Sequence, residues 1–359
     1  MKRFKSRLLG ICLLVTGAFL TSCSSDDDQS NQIVPSDFAN GIFILNEGTM
    51  GNANASVSFL SQNGVVQNNI YQTVNGQLLG DIAQSIYTKD DRVYIVLNGT
   101  GTIEVVNRYS FEKIGTINAG LSNPRYIIIE DGKGYVTNWG DPANPQDDFV
   151  AVVNLSSLTV ETTIPVVEGP EKMEEENGKI FVAHAGGWGT GNTITVIDAV
   201  SNTVVSTITV GDIPNSLEEE NGKLYVMCGG KPAWTQDETL GGLYIINLAN
   251  LSVESVLTFP QGEHPSQMVE EDGKFYYTLD DKVFSMPVWA TSLPTTPLFT
   301  MSDFGIFGAY GFEVEEGKIY VADAVDYTSN GKVHIFNLSG NHLETYTVGK
   351  LPNGFAFNL

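Results

Sequence analysis

The chain of 359 residues is 42% hydrophobic and 17% charged, which is enough apolar material for one large all-β domain or two average domains. Its formal net charge of −23 repels phosphate backbones and argues against nucleic acid as a ligand. Thirty-seven glycines and fourteen prolines predict many short elements joined by turns.

Residues 1–22 have the features of a signal peptide that is removed from the mature chain. Four basic residues lie within the first seven positions, and the apolar run LLGICLLVTGAFL that follows is too short for a membrane-spanning helix. Leu20-Thr21-Ser22-Cys23 resembles the lipobox of bacterial lipoproteins, which implies cleavage before Cys23 and lipidation of that cysteine. The alternative is an ordinary secretory peptide with a chance cysteine.

Residues 23–39 are predicted to be the lipidated cysteine and a flexible acidic tether. The run SSDDD at 24–28 resembles the surface-export signal of lipoproteins in certain Gram-negative gut bacteria. The alternative is a solvated linker with no sorting role. A random-coil segment of this length reaches ~20 Å. We therefore expect a protein that is lipid-anchored in the outer membrane and faces the cell exterior.

From residue 40 onward the sequence repeats one unit seven times. EEENGK occurs at 174–179 and again at 218–223, and an aromatic residue marks each repeat at spacings of 51, 41, 46, 44, 51 and 44 residues. These aromatics are Phe43, Tyr94, Tyr135, Phe181, Tyr225, Tyr276 and Tyr320. Such a period is typical of four-stranded propeller blades. The Asn-Gly and Asp-Gly pairs predict tight hairpins, and no stretch shows sustained helical periodicity.

The sequence contains a second strand for each of seven blades, but a complete first strand for only six of them. The missing one lies at the end of the chain, where residues 352–357 have the first-strand pattern with nothing after it. We expect this segment to pair beside residues 41–45, because closure of the ring removes exposed sheet edges. The predicted fold is all-β: a seven-bladed β-propeller over residues 40–359 with four-stranded blades, closed by pairing of the C-terminal strand with the N-terminal blade.

The loops after the second strands vary freely and hold most of the tryptophans. In four-stranded blades these loops share a face with the blade-to-blade connections. They carry Trp139, Trp188 and Trp234 in consecutive blades and Tyr327 in the seventh. An aromatic ring buries ~150–250 Å², so these side chains are candidates for binding a large, partly apolar ligand. The alternative is that each ring packs its own loop onto the propeller.

Polar side chains near the starts of the inner strands are expected to ring the central opening. They are Arg125, Lys172, Asn215, His264, Gln267, Tyr310 and Asn353. Amides and hydroxyls beside aromatic rings suit a bulky ligand that is rich in hydrogen-bonding groups. The alternative is that these residues cap strand ends.

No catalytic or metal-binding motif stands out, so we expect neither an enzyme nor a metal site. The glycine-rich residues 187–191 lie between strands, without a helix to receive a phosphate. The acidic turns lack EF-hand spacing. His184 and His264 have no close companion ligands, and Cys228 has no catalytic partner in its neighbouring sequence.

One set of stretches resembles a known group of proteins. Tyr135–Asn138 spells the motif of the YVTN/YncE-like β-propellers. Together with the lipobox, the acidic run, ILNEG at Ile44–Gly48 and YVTNWG at Tyr135–Gly140, it resembles the BtuG-type surface lipoproteins. That resemblance implies a propeller that captures cobalamin and passes it to a TonB-dependent outer-membrane transporter.

Other functions stay open at this point. A propeller of this kind also suits another nutrient, such as a glycan or another cofactor, or a structural role at the cell surface. A propeller enzyme, such as a lyase or cyclotransferase, is a further alternative.

Overall fold

The repeated turn is a two-residue hairpin that joins the first two strands of a blade. In the computed structural model, which describes residues 38–187 and 190–359, Asn177 and Gly178 have φ values of 54° and 70°. Both central residues are left-handed, as an Asn-Gly hairpin requires. Residues 1–37, which include the predicted signal peptide, Cys23 and most of the tether, lie outside the described residues.

The middle glutamate of EEENGK explains why the stretch is repeated. Its carboxylate accepts a hydrogen bond from the backbone N–H of the turn glycine three residues later. This contact joins Glu175 to Gly178 at 3.3 Å and Glu219 to Gly222 at 2.9 Å. Because the side chain satisfies a turn donor that the strands leave unpaired, the sequence of the turn has little freedom.

Each blade is an antiparallel sheet of four strands, and the inner strands of neighbouring blades contact one another. From the axis outward, blade 1 consists of β28 (Pro352–Asn358), β1 (Gly41–Asn46), β2 (Ser56–Ser61) and β3 (Val66–Gln67). Blade 2 consists of β4 (Ala83–Lys89), β5 (Arg92–Leu97), β6 (Thr102–Asn107) and β7 (Lys113–Ile117). Blade 3 consists of β8 (Pro124–Glu130), β9 (Lys133–Asn138), β10 (Phe149–Asn154) and β11 (Thr159–Pro165).

The remaining four blades follow the same order along the chain. Blade 4 consists of β12 (Pro170–Glu176), β13 (Lys179–His184), β14 (Thr193–Asp198) and β15 (Thr203–Thr209). Blade 5 consists of β16 (Pro214–Glu220), β17 (Lys223–Cys228), β18 (Gly242–Asn247) and β19 (Ser252–Thr258). Blade 6 consists of β20 (Ser266–Glu271), β21 (Lys274–Leu279), β22 (Lys282–Pro287) and β23 (Phe299–Thr300). Blade 7 consists of β24 (Gly311–Glu315), β25 (Lys318–Asp323), β26 (Lys332–Asn337) and β27 (His342–Thr347).

The fold is the predicted seven-bladed propeller, and the C-terminal strand closes it. β28 pairs with β1 from Gly41 opposite Asn358 to Asn46 opposite Pro352. The Asn358 amide also reaches the Phe38 carbonyl, and the Arg108 guanidinium of blade 2 donates to the Asn358 side-chain oxygen. The first and last described segments are therefore joined to each other and to the next blade.

The two faces of the propeller differ in the turns and loops that join the strands there. We call the side with the EEENGK-type turns the hairpin face; it also carries the turns between third and fourth strands. The opposite side, the loop face, carries the blade-to-blade connections and the loops between second and third strands. The longer of these loops span residues 47–55, 139–148, 229–241 and 324–331.

A short helix, α1 (Ile70–Asn75), interrupts the all-β pattern between blades 1 and 2. Six residues are too few to show a helical period, which is why the sequence did not predict it. Its Tyr71 hydroxyl donates to the Glu104 carboxylate at 2.8 Å, and that carboxylate also binds the Lys113 ammonium at 3.0 Å. No helix in the described residues is long and apolar enough to cross a membrane.

The Glu104 carboxylate is expected to be a major stabiliser of this corner. Glu104→Ala leaves the Tyr71 hydroxyl and the Lys113 ammonium without their acceptor, so the free energy of unfolding should fall by about 3 kcal/mol. Glu104→Gln keeps one acceptor oxygen, so its free energy of unfolding should fall by less than that of Glu104→Ala. Urea unfolding measures both, with the exposed Glu112→Ala as the control, which should change stability by less than about 0.5 kcal/mol. Equal losses for Glu104→Ala and Glu112→Ala would contradict this role.

Candidate functional site

An ion pair and an indole form the centre of the loop face. Arg125 and Glu171 are the second residues of the neighbouring inner strands β8 and β12, and both strands bulge at this point. Arg125 Nε lies 2.8 Å from Glu171 Oε1, and Nη2 lies 3.4 Å from Oε2. The Arg125 guanidinium carbon lies 3.9 Å from the ring centroid of Trp139, which directly follows β9. The edge of the guanidinium is thus paired with the Glu171 carboxylate, and its face lies on the Trp139 ring.

Burial raises the pKa of the Glu171 carboxyl, and the Arg125 guanidinium opposes that shift. The Trp139 indole N–H also lowers the pKa of the same carboxyl. Both charged side chains are about 85% buried, with 15% of Arg125 and 13% of Glu171 exposed. The group is therefore a rigid support that holds the indole in one orientation beside the central opening.

A second aromatic and acidic group comes from blades 7 and 1. The Tyr310 hydroxyl donates to the Glu47 carboxylate, and the Tyr310 ring meets the Tyr327 ring edge-on at 5.9 Å. Burial raises the pKa of Glu47, while the Tyr310 hydrogen bond and the Arg125 charge lower it. Arg125 therefore links the two groups electrostatically across the opening.

The predicted amides connect neighbouring blades. Asn215 Nδ2 donates to the Pro265 carbonyl at 2.9 Å, and Asn353 Nδ2 donates to the Ala83 carbonyl at 2.8 Å. Gln267 Nε2 contacts the Tyr310 carbonyl at 3.4 Å. These nitrogens hold the inner strands together, which is the capping role considered for them. Within the described residues, the side-chain oxygens of Gln267 and Asn353 have no hydrogen-bond partner.

Lys172 acts electrostatically on carboxyl groups of several blades, and its charge also lowers the pKa of Glu171. Its charge lowers the pKa of Glu218 in blade 5 and of Glu313 in blade 7, so side chains from three blades meet around the axis. Burial is the larger influence and raises the pKa of Glu313 to about 7. Among the described residues, carboxyl groups of blades 5 and 7 therefore lie within electrostatic reach of the Lys172 ammonium.

Trp234 is presented to solvent on an anchored loop. It lies in a 3₁₀ turn, Ala233–Thr235, and is 81% exposed. Lys231 pairs with Asp237 in the same loop, and its ammonium lies 3.9 Å from the Asp212 carboxylate. The loop is thus tied to the blade while the indole stays free of packing. Tyr327 is also largely exposed, at 64%.

Among the predicted site residues, Arg125, Trp139, Tyr310 and Tyr327 lie in the two aromatic groups, and Trp234 lies elsewhere on the same face. Trp188 lies outside the described residues. His264 Nδ1 lies 2.8 Å from the Gly229 carbonyl, and its Nε2 lies 3.6 Å from a Glu238 oxygen. In the described part of the chain, no three His, Cys, Asp or Glu side chains are grouped as metal ligands.

His184 and Cys228, two residues of chemically reactive types, are buried. Burial lowers the pKa of His184 to about 4, and its Nε2 contacts the Thr195 hydroxyl at 2.9 Å. Burial also raises the pKa of the Cys228 thiol well above its usual value. At neutral pH His184 is therefore an uncharged imidazole, and Cys228 is a thiol rather than a nucleophilic thiolate.

The sequence comparison identifies the family. Residues 40–291 match a family described as a domain of unknown function, DUF5074. The chain belongs to the DUF5074 family. A search among curated proteins found no match.

Solved structures with the same fold carry names that indicate different or unknown functions. The DUF5074 chain is similar to a quinonprotein alcohol dehydrogenase-like protein from Bacteroides thetaiotaomicron, with 13% identity, a TM-score of 0.67, and coverage of 90% of this chain and 79% of the other. It is also similar to a functionally unknown protein from Desulfotomaculum acetoxidans, with 14% identity, a TM-score of 0.66, and coverage of 89% of this chain and 99% of the other. Hydrazine synthase from Kuenenia stuttgartiensis is 15% identical with a TM-score of 0.58, and the match covers 71% of this chain and 76% of the other. At these identities the likeness shows the propeller fold alone.

Sequence reasoning missed two carboxylates of this DUF5074 site. Glu171 occupies in blade 4 the position that Arg125 occupies in blade 3, so alignment of PEKM with PRYI would have paired them. Glu47 ends the ILNEG stretch, directly after β1. Nothing in the sequence indicated that Glu171 contacts Arg125 or that Glu47 contacts Tyr310.

Asp148, at the end of the Trp139 loop, is expected to make stability depend on pH. The residue is 3% exposed and accepts the Gly169 N–H at 2.6 Å. Burial raises the pKa of Asp148 to about 6, although the Gly169 N–H opposes the shift. Because the folded pKa exceeds the unfolded value, its contribution to stability is complete below pH ~4 and is lost as the pH rises through ~6.

Asp148→Asn removes that titration while keeping an acceptor oxygen. Relative to the wild type, the variant should gain roughly 2–3 kcal/mol at most between pH 4 and pH 7, from about 1.4 kcal/mol per unit of pKa shift. Urea unfolding of both proteins at pH 4, 5, 6 and 7 measures the difference. A difference that stays constant with pH would contradict the assignment.

Proposed function

We propose that this protein is a surface-anchored binding protein, without catalysis, that captures cobalamin on its loop face and passes it to a TonB-dependent outer-membrane transporter. One observation carries the proposal. Both stretches that resemble BtuG-type lipoproteins, Ile44–Gly48 and Tyr135–Gly140, deliver a side chain to the loop face. Trp139 lies against the Arg125 guanidinium, and the charge of the same Arg125 lowers the pKa of Glu47.

The chemistry of the loop face fits a corrin. Such a ligand offers a wide, flat macrocycle with amide groups around its edge. Exposed rings at Trp234 and Tyr327 provide apolar surface for the macrocycle. The Tyr327 hydroxyl and the polar groups of the surrounding loops supply hydrogen-bonding partners for the amides.

The available surface is large enough for tight binding. Burying one indole removes ~150–250 Å² from water, which is roughly 4–6 kcal/mol at 25 cal/mol/Å² as an upper bound. Association costs ~4–15 kcal/mol of lost freedom. Two or three rings that bury against one ligand contribute at most about 8–18 kcal/mol, which exceeds the lower part of this cost, and hydrogen bonds add to the affinity.

The test is a calorimetric titration of the protein lacking residues 1–23 with cyanocobalamin. Cobinamide and hemin are the comparison ligands, since the first keeps the amides and corrin while the second is a flat macrocycle without those amides. We expect binding of cyanocobalamin and cobinamide and none of hemin. No heat and no retention on cobalamin resin would remove cobalamin as the ligand.

The lipid anchor, the surface exposure and the transporter partner each have a separate test. Palmitate labelling of the wild type but not of Cys23→Ser tests the anchor, and protease treatment of intact cells tests exposure. Co-purification with a transporter tests the partner.

A further inference from the structure

A large cleft opens on the hairpin face, on the side of the disc opposite the aromatic groups. It lies between blades 7 and 1 and has a volume of about 840 Å³. Pockets that bind small ligands span ~300–1,000 Å³. Blade 1 contributes the turn at residues 61–64, and blade 7 contributes parts of β25, β26 and β27.

The cleft exists because this interface has the least core in the ring. Seven buried apolar side chains join blades 7 and 1, against nine to sixteen at the other interfaces of the described chain. The outermost strand of blade 1, β3, is only two residues long. The outer part of blade 1 therefore does not cover the side of blade 7.

Hydrogen bonds cross the equivalent grooves between blades 2 and 3 and between blades 3 and 4. Arg92, the first residue of β5, donates to the Leu155 carbonyl of blade 3 at 2.7 Å. Tyr135, the third residue of β9, donates to the Ala199 carbonyl of blade 4 at 2.9 Å. The corresponding residues of β25 are Lys318 and Tyr320. Both line the cleft, and no hydrogen bond joins either side chain to another described residue.

The remaining lining mixes donors and acceptors above an apolar floor. Gln62 and Asn63 supply amides from blade 1, and Glu316 and Glu344 supply carboxylates from blade 7. Tyr346 is half-buried, and its hydroxyl donates to Glu344 at 2.6 Å. Two carboxylates against one ammonium disfavour an anionic ligand.

We propose that this cleft is a second binding site, which takes a neutral oligosaccharide. Sugar hydroxyls both donate and accept, so they match the alternation of Lys318, the amides and the carboxylates. The apolar face of a sugar ring packs on the half-buried ring of Tyr346. The site shares no residue with the aromatic groups of the loop face.

The probes are maltohexaose, laminarihexaose, cellohexaose and mannohexaose, titrated into the protein lacking residues 1–23 by saturation-transfer NMR and calorimetry. At least one should bind with a Kd below about 1 mM. Lys318→Ala, Tyr346→Ala and the cleft-filling Asn63→Trp should each weaken it at least about tenfold. Lys274→Ala is the matched control, because Lys274 is the exposed first residue of β21 in blade 6 and lies outside the cleft.

Three results would overturn the proposal. One is the absence of binding by all four hexasaccharides, and another is tighter binding of a chondroitin sulfate hexasaccharide than of any neutral one. The third is binding that survives Lys318→Ala and Asn63→Trp as fully as it survives Lys274→Ala. Thermal unfolding of each variant separates a lost site from a lost fold, and Lys318 is exposed enough that its removal should leave the fold intact.

Discussion

Deletion of residues 352–359 is expected to abolish folding of the protein as a monomer. The segment contains β28, which is the inner strand of blade 1 and pairs with the whole of β1. Its Phe355 and Phe357 rings pack on Tyr320 of blade 7 at 5.9 and 5.2 Å. Loss of a buried strand and of these contacts should exceed a typical total stability of about 5–15 kcal/mol.

The outcome should be loss of cooperative thermal unfolding and aggregation of the truncated chain, since β1 becomes an open edge. A permuted chain is the matched control. It carries residues 352–359 before residue 38, joined by a short Gly-Ser linker, because Asn358 already contacts Phe38. Restored cooperative unfolding in the permuted chain would show that the strand itself is required. A truncated chain that still unfolds cooperatively as a monomer would contradict the closure argument.

Replacement of loop-face tryptophans is expected to have the largest effect on cobalamin capture. Trp234→Ala removes an indole that is 81% exposed and available to the ligand. A central anchor of this kind is worth about 2 kcal/mol or more, so the Kd should rise at least about 30-fold. Trp139→Ala should cost at least as much, because it also removes the surface on which Arg125 stacks.

The chain offers a matched control of the same residue type. Trp289 follows β22 on the hairpin face, close to the turn glycine Gly273, and is 73% exposed. Trp289→Ala should leave the Kd for cyanocobalamin unchanged in the same calorimetric titration. Equal affinities for Trp139→Ala, Trp234→Ala and the wild type would move the site away from the loop face, even if cobalamin binds.

The architecture could be predicted because local chemistry repeats. Positive φ at Asn177 and Gly178 follows from an Asn-Gly pair, and the alternation of strands follows from the spacing of the aromatics. Closure by β28 followed from counting strands. The short helix α1 was not predictable, since it depends on Tyr71 reaching Glu104 more than thirty residues away.

The candidate site was predictable as a set of positions but not as a set of contacts. The sequence placed Arg125, Asn215 and Asn353 at equivalent positions near the starts of inner strands. In the structure their side chains make different contacts. Arg125 pairs with Glu171, whereas the two asparagines donate to the backbone of the next blade. A bulge at these positions sets the direction of each side chain, and the partner comes from another blade.

The sequence by itself determined the blades, their turns, the ring closure and the face on which long loops gather, because these depend on residues within one repeat or on their count. Only the tertiary structure decided that Glu47 and Glu171 meet Tyr310 and Arg125, and that the interface of blades 7 and 1 is open. Those features depend on which side chains of different blades come within hydrogen-bond distance. That proximity arises only when seven separately encoded units are bent into one ring.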